Sequence, residues 1–401
     1  MKPRILLAAT CVWPVAARLA AAFAEVGSEV EIVCPPGHPA ATLRVGPKSH
    51  VFRRQAPLAS LRAALQAAEP DLIIPCDEAA TQQLHRFHAR LLSLGAAATR
   101  MREVLDRSLG PVASQTVIDS RSRLLEMARA EAIPVPEALA IVSGDELHAW
   151  LAQHGFPALL KADATSGGEG VRIIHGTEGA DPAFAALRGR PGHGRELGLS
   201  PRRPPELQLQ QFIEGRDATT SVACWQGRVV ASIHGEVLKT MYARGPASVL
   251  RLIDHPEMDQ CAERLVRRLG LSGIFGFDFR LEADTGKARL IEMNARATQI
   301  SHLAPGEGSS LPAALHAAMA GAPAAPAKRI SGKTIIALFP QEWSRDPGSE
   351  FLASGFHDVP WQEPGLVKYC VDNHPPGSQN RRVAEAKSLL QMVRRKIHGP
   401  G

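Results

Sequence analysis

The chain has 401 residues, 45% of them hydrophobic and 21% charged, the balance of an ordinary soluble globular protein with room for two or three domains. Its net charge of +6 is spread out: arginines gather at 188–203 and 394–396 without interleaved aromatics, which argues against nucleic acid as a partner. No apolar run is long enough for a membrane span, the stretch after Met1 is too short for a signal-peptide core, and six widely spaced cysteines with no CxxC pair argue against a disulfide framework or a zinc site, so a cytoplasmic location is expected.

Residues 1–110 alternate strand and helix. Ile5–Ala9, Glu29–Cys34 and Asp71–Pro75 read as strands, and Val15–Val26 and Leu58–Ala68 as helices. That rhythm implies a parallel sheet covered by helices, with ligands beyond the carboxyl ends of its strands. Thr10-Cys11 and Asp77-Glu78 lie at two such ends. Glu78 is a candidate substrate contact, or a carboxylate favoured by a helix start. No GxGxxG follows the first strand, so a dinucleotide site is not expected.

Asp119–Ala132 reads as a helix capped by Asp119 or Ser120, with Leu124, Leu125 and Ala128 on one face, and Pro134 and Pro136 enforce extended chain after it. A helix over Asp145–His154 leads to a strand, Ala158–Lys161, a glycine-rich turn, and a second strand, Val171–His175. In the turn, Gly167, Gly168 and Gly170 let backbone N–H groups approach an anion, Thr165 and Ser166 add hydroxyl donors, and Lys161 supplies a point charge. Residues 177–206 read as a surface excursion. A strand over Leu207–Ile213, a hairpin of Ser221–Trp225 with Val229–His234, and a helix over His255–Leu269 follow.

The next stretch, FDFRLEADTGKARLIEMNAR, reads as a hairpin. Phe277, Phe279 and Leu281 share one face, Asp278 and Arg280 the other, and Glu292 and Asn294 share a face of the return strand. Pairing that sets Asp278 beside Glu292, with Asn294 near, makes an all-oxygen site suited to Mg²⁺ or Mn²⁺ on nucleotide phosphates, and Arg296 is placed to reach an anion held there. An amphipathic hairpin with solvated charges is the competing reading. A polar loop follows at 297–310, then a helix over Leu311–Met319, a linker at Pro323–Pro326, a strand over Thr334–Phe339 and a basic helix near Val383–Ile397. Gly332-Lys333-Thr334 is not a Walker A end, because a strand follows it.

In this order and spacing, the parallel domain, the helix with its Pro-x-Pro exit, the strand ending in Lys161, the glycine loop, LQLQQFIEG and IEMNAR, the chain resembles the ATP-grasp superfamily of carboxylate–amine ligases. The branch is similar to carbamoyl-phosphate-synthase-like and biotin-carboxylase-like members. The resemblance implies a mixed α/β and α+β fold: a pre-ATP-grasp domain at 1–110, a two-lobed ATP-grasp domain at 111–326 with a mobile lid at about 139–209, and an extension of unknown role at 327–401. It implies ATP with Mg²⁺ as cofactors, an acyl-phosphate intermediate, release of ADP and phosphate, small carboxylate and amine substrates, and allows a homodimer. An ATP-grasp kinase or a non-catalytic ATP-binding subunit are the alternatives.

Carried over residue by residue, Lys161 contacts the α/β-phosphates, Gly167, Gly168 and Gly170 form the lid over them, and Gln210, Gln211, Phe212 and Ile213 bracket adenine. Asp217 meets the ribose, Asp278, Glu292 and Asn294 hold the metal, and Arg296 steadies the transferring phosphoryl group. Arg121 stands where the family has its first nucleotide lysine, and Gln210 and Gln211 where glutamate is frequent. Lys239, Arg244 and Ser248, between hinge and metal strands, and Ser301, after Arg296, are candidate substrate contacts.

Overall fold

The structure is a computed structural model that describes residues 2–93, 99–163, 170–189, 205–305, 310–323 and 334–374. Parallel strands need helical crossovers, and the N-terminal stretch has them. β1 (Arg4–Ala8), α1 (Pro14–Glu25), β2 (Glu29–Cys34), β3 (Lys48–Val51), α2 (Pro57–Ala68), β4 (Leu72–Pro75) and α3 (Glu78–Leu91) build a parallel sheet of order β3-β2-β1-β4. Both faces are covered. Ile5 and Leu7 of β1 pack with Leu19 and Phe23 of α1, while Leu6 packs on the opposite side with Leu61 and Leu84. β3 is an addition to the expected strands, since KSHV is a largely exposed edge with no apolar alternation to reveal it.

α4 (Thr99–Leu109) and α5 (Val112–Ile118) lead to α6 (Arg121–Ala130), capped by Ser120, whose hydroxyl accepts from Arg123 N–H. The proline segment after it runs beside a later strand, where Pro134 O accepts from Leu290 N–H. β5 (Ala138–Ile141), α7 (Gly144–His154), β6 (Ala158–Ala162), β7 (Val171–Ile174), α8 (Ala180–Arg188) and β8 (Leu207–Gln211) form a small lobe with an antiparallel sheet of order β5-β8-β6-β7. One face, with Ala158, Leu160, Leu207 and Leu209, packs on α7 and α8. The other carries Lys161, Gln208 and Gln210, by alternation along the strands.

β9 (Gly215–Trp225), β10 (Arg228–Thr240), β11 (Ala247–Ile253), α9 (Pro256–Leu269), β12 (Gly273–Glu282) and β13 (Ala288–Asn294) make most of a seven-stranded sheet. α9 buries Met258, Cys261, Ala262, Leu265, Val266 and Leu269, a stripe at helical spacing, against Phe275, Phe277 and Phe279. It ends at Gly270, whose φ of +67° suits a residue without Cβ. The hairpin expected at 221–234 is the inner part of β9 and β10. β11 has no counterpart in the sequence reading.

α10 (Leu311–Ala320) covers the large sheet, and the segment read as an extension joins it. β14 (Ile335–Ala337) and β15 (Phe356–His357) complete the order β13-β12-β9-β10-β11-β14-β15. α11 (Gln341–Arg345), α12 (Glu350–Ser354) and α13 (Pro364–Asn373) accompany them. Trp343 is 1% exposed and belongs to the same core as Leu19 and Phe23 of α1. The basic helix expected near 383–397 lies outside the described residues. No helix among the described residues is long and apolar enough to cross a membrane.

Trp343→Ala is expected to lower the unfolding free energy by about 3–5 kcal/mol in urea titrations. A loss below about 1 kcal/mol would mean that this segment rests on the core without belonging to it.

Candidate functional site

The hairpin of β12 and β13 sets Asp278 directly across from Glu292. The register steps between Phe279↔Leu290 and Asp278↔Glu292, leaving Ile291 without a partner. Strict alternation from Ala288 and Leu290, both core residues, would send position 292 into the core. The bulge turns Glu292 to the face that Asp278 occupies.

Thr219 of β9 donates to Asp278 Oδ1 at 2.8 Å, and Asn294 Nδ2 donates to Oδ2 at 2.9 Å. Burial nevertheless pushes the Asp278 carboxyl up to about 7, with the charge of Glu292 as the second cause. Glu292 moves the other way. Its burial opposes ionisation, but Arg121 and Lys161 beside it hold it below the usual carboxylate range. A hydrogen bond between the two carboxyls favours protonated Asp278 and ionised Glu292.

Arg121, the first residue of α6, donates from Nε to Glu292 Oε2 at 3.0 Å and from Nη1 to Ala162 O at 2.6 Å, with Asp163 Oδ1 3.7 Å away. Burial acts to lower its pKa, and Glu292 and Asp163 more than reverse that. Lys161 is 5% exposed at the end of β6. Burial drives its ammonium down to about 8, against the pull of Glu292. Burial also raises Asp163 to about 6, although Arg121 opposes it. Gly170 O accepts from Ala162 N–H at 2.9 Å, closing the turn after Lys161. Thr165, Ser166, Gly167 and Gly168 lie outside the described residues.

The hinge leaves β8. Gln210 is fully buried, and neither polar atom of its carboxamide has a hydrogen-bond partner among the described residues. Gln211 donates its N–H to Glu137 O and exposes its side chain. A residue absent from the sequence reading of the site then appears. Arg280 lies with its guanidinium 5.9 Å from the Phe212 ring, donates from Nε to Ile213 O at 2.9 Å, and reaches Asp217 Oδ1 at 2.6 Å. Its alternation with Asp278 was the available signal; its acid stands 63 residues earlier. Gly215 begins β9 at φ +153°, where a Cβ would stand 1.8 Å from Leu281 O, so the hinge enters the sheet only through glycine.

The N-terminal sheet closes the remaining side. Ala297 N–H donates to Pro75 O and Thr81 Oγ1 to Ala295 O, each at 2.9 Å, holding the end of β4 against the chain after β13. Arg296 donates from Nη2 to Asn294 Oδ1 at 3.1 Å, and its Nε lies 3.6 Å from Glu78 Oε2. Thus Arg121, Lys161, Asp278, Glu292, Asn294, Arg296 and Glu78 come together. The other substrate candidates sit elsewhere. Ser301 is fully buried, accepting from Thr298 N–H and sharing a hydrogen bond with Ser221, each at 2.8 Å. Ser248 is fully buried in β11. Lys239 lies 6.0 Å over the Phe351 ring, and Arg244 stands exposed at φ +63° between β10 and β11. None of these four has a described contact with the Asp278–Glu292 pair.

Asp278 takes up a proton on folding, because its folded pKa of about 7 exceeds its ordinary 3.8. Its contribution therefore destabilises the fold progressively as pH rises through that window. Asp278→Asn is expected to raise the unfolding free energy at pH 8 by roughly 1–3 kcal/mol and to flatten its decline from pH 5 to 8. An unchanged pH profile would contradict this.

Residues 123–299 match a family described as the ATP-grasp domain. Formate-dependent phosphoribosylglycinamide formyltransferase of Paraburkholderia xenovorans is 31% identical over 167 residues, 40% of this chain and 36% of that protein. Acetyl-CoA carboxylase 2 of Oryza sativa subsp. japonica is 25% identical over 155 residues, 37% of this chain and 6% of that protein. The chain thus spans only a minor part of these curated relatives. Among solved structures, N5-carboxyaminoimidazole ribonucleotide synthetase of Thermus thermophilus superposes with a TM-score of 0.58 at 18% identity, over 80% of this chain and 79% of that one. The biotin carboxylase of Campylobacter jejuni does so at 0.59 and 17%, over 81% and 72%. These likenesses give an ATP-grasp domain at residues 123–299 and, for the chain around it, the fold of these solved structures.

Proposed function

We propose that this chain is an ATP- and Mg²⁺-dependent carboxylate–amine ligase. A small carboxylate receives the γ-phosphoryl group of ATP, the acyl phosphate reacts with an amine, and ADP and phosphate leave. The observation that carries this reading is the pairing of Asp278 with Glu292 within reach of three separate cations, Arg121, Lys161 and Arg296.

The oxygen set fits a hard divalent ion. Asp278 and Glu292 are held at strand-pair spacing and share a proton that such an ion would displace; Asn294 turns Nδ2 to Asp278 and Oδ1 to Arg296, so a flip of its amide would add a third oxygen beside them. Among the described residues no group of three or more His, Cys, Asp or Glu side chains is arranged to hold a metal ion, so an ion here would have to draw the rest of its shell from water and phosphate oxygens. When bound, the ion supplies charge neutralisation on those oxygens.

The chain's own residues do the rest. Lys161 and Arg121 give positive charge on the lobe side, and Arg296 gives it on the side of the N-terminal sheet. Phosphoryl transfer rests mainly on such positioning and neutralisation. Arg280 holds Asp217 at the end of the hinge, presenting a fixed carboxylate for the ribose. The Campylobacter jejuni relative was solved as a complex with β,γ-ATP, which supports reading the cleft as a nucleotide site.

A screen of carboxylic acids and amino acids with ATP, Mg²⁺ and hydroxylamine is expected to yield a hydroxamate together with ADP and phosphate. AMP and pyrophosphate would rule the chemistry out. Glu292→Gln is expected to cut turnover about a hundredfold or more while leaving the circular dichroism spectrum intact. Near-normal turnover would refute the metal role.

A further inference from the structure

One carboxylate at this site has no part in metal, hinge or cap. Glu78 comes from the N-terminal domain, at the carboxyl end of β4. The sheet order β3-β2-β1-β4 reverses direction between β1 and β4, the place where open parallel sheets take their ligands. Its neighbour Asp77 is fully engaged: it accepts from Thr10 N–H at 2.6 Å, Thr10 Oγ1 at 2.7 Å and Ala80 N–H at 2.8 Å. That brace fixes the backbone from which Glu78 projects.

Glu78 lies 3.6 Å from Arg296, and its charge also acts on Arg121. Its side chain keeps 36% of its surface open, against 14% for Arg296. An anion at this spot repels a carboxylate or a phosphate, whereas the guanidinium next to it attracts them. Adjacent opposite charges at an open seam complement two reactants of opposite sign, the acyl phosphate at Arg296 and a cation at Glu78.

We infer that Glu78 binds the acceptor amine as its ammonium ion and takes the proton it must lose before attack. The Glu78 carboxylate accepts one proton, and the freed nitrogen lone pair forms the bond to the acyl carbon. The bond from that carbon to the phosphate oxygen breaks, and the departing phosphate takes the second N–H proton. The inference rests on the ligase reading above.

The experiment compares two nucleophiles with the acid that the hydroxamate screen selects. Ammonium chloride is almost wholly cationic at pH 7.5, and hydroxylamine is uncharged. The readout is the ratio of amide to hydroxamate formed. In Glu78→Gln that ratio is expected to fall about ten- to hundredfold, the loss appearing in KM for ammonium. The remaining ammonium reaction is expected to rise more steeply with pH than in the wild type, following the free amine, and Glu78→Asp recovers part of the ratio. An unchanged ratio, including equal loss of both products through damage to the fold, overturns the inference. So does ammonium that the wild type neither couples nor allows to compete with hydroxylamine. Absence of hydroxamate from the wild type with every acid would instead sink the ligase reading.

Discussion

Through its bonds to Glu292 and Ala162, Arg121 joins two parts of the molecule that have separate cores, the large sheet with its own helix and the small lobe. Arg121 heads a helix, its guanidinium reaches the end of a strand in the small lobe, and its anion belongs to the large sheet. Buried charges are costly unless paired and hydrogen-bonded, and removing one partner is worse than never burying either. The pair therefore forms only when helix, lobe and sheet have assembled. The same cluster sets the ionisation around it: Arg121 and Lys161 hold Glu292 below the usual carboxylate range, while burial, and then the charge of Glu292, raises Asp278.

Behind the cluster stands a frame that keeps Arg296 in place. β4 and α3 grip the chain after β13 through Pro75, Thr81, Ala295 and Ala297. Farther along, Asp358 in the C-terminal segment accepts from Arg18 of α1 at 2.5 Å and meets His302 Nε2 at 3.0 Å. Burial opposes the charge on Asp358, yet Arg18 and His302 hold its carboxyl below the ordinary range. Burial, then the charge of Arg18, lowers His302. This buried node ties the first helix, the loop after β13 and the final described segment together, so residues 334–374 are part of what holds the loop that follows Arg296.

Legibility followed the range of the forces involved. The Phe277–Phe279–Leu281 stripe, the helix before Pro134 and the βαβ rhythm are periodic, and period is visible in one dimension. Lys161 and Asp278 were identifiable because each ends or occupies a periodic strand, whereas the bulge at Ile291 that turns Glu292 to Asp278 has no period to reveal it. β3 and β11 escaped, one as a polar edge and the other because ASVLRLI has no strict alternation to mark it. Ser248 and Ser301, candidates for a ligand by their place in the chain between hinge and metal strands and after Arg296, are interior residues. Arg280 escaped although its face was known, because its meaning lies in Asp217, Ile213 and Phe212.

By itself, the order of residues determined the strongly periodic elements, the identity of the groups with useful chemistry, and the family they resemble. Only the tertiary structure decided which of those groups meet. Arg121 and Glu292 are 171 positions apart, and Arg18 and Asp358 are 340. No hydrophobic period encodes a contact at such separation; it arises when segments distant in the chain pack together and bring their strand ends and helix starts to a common seam.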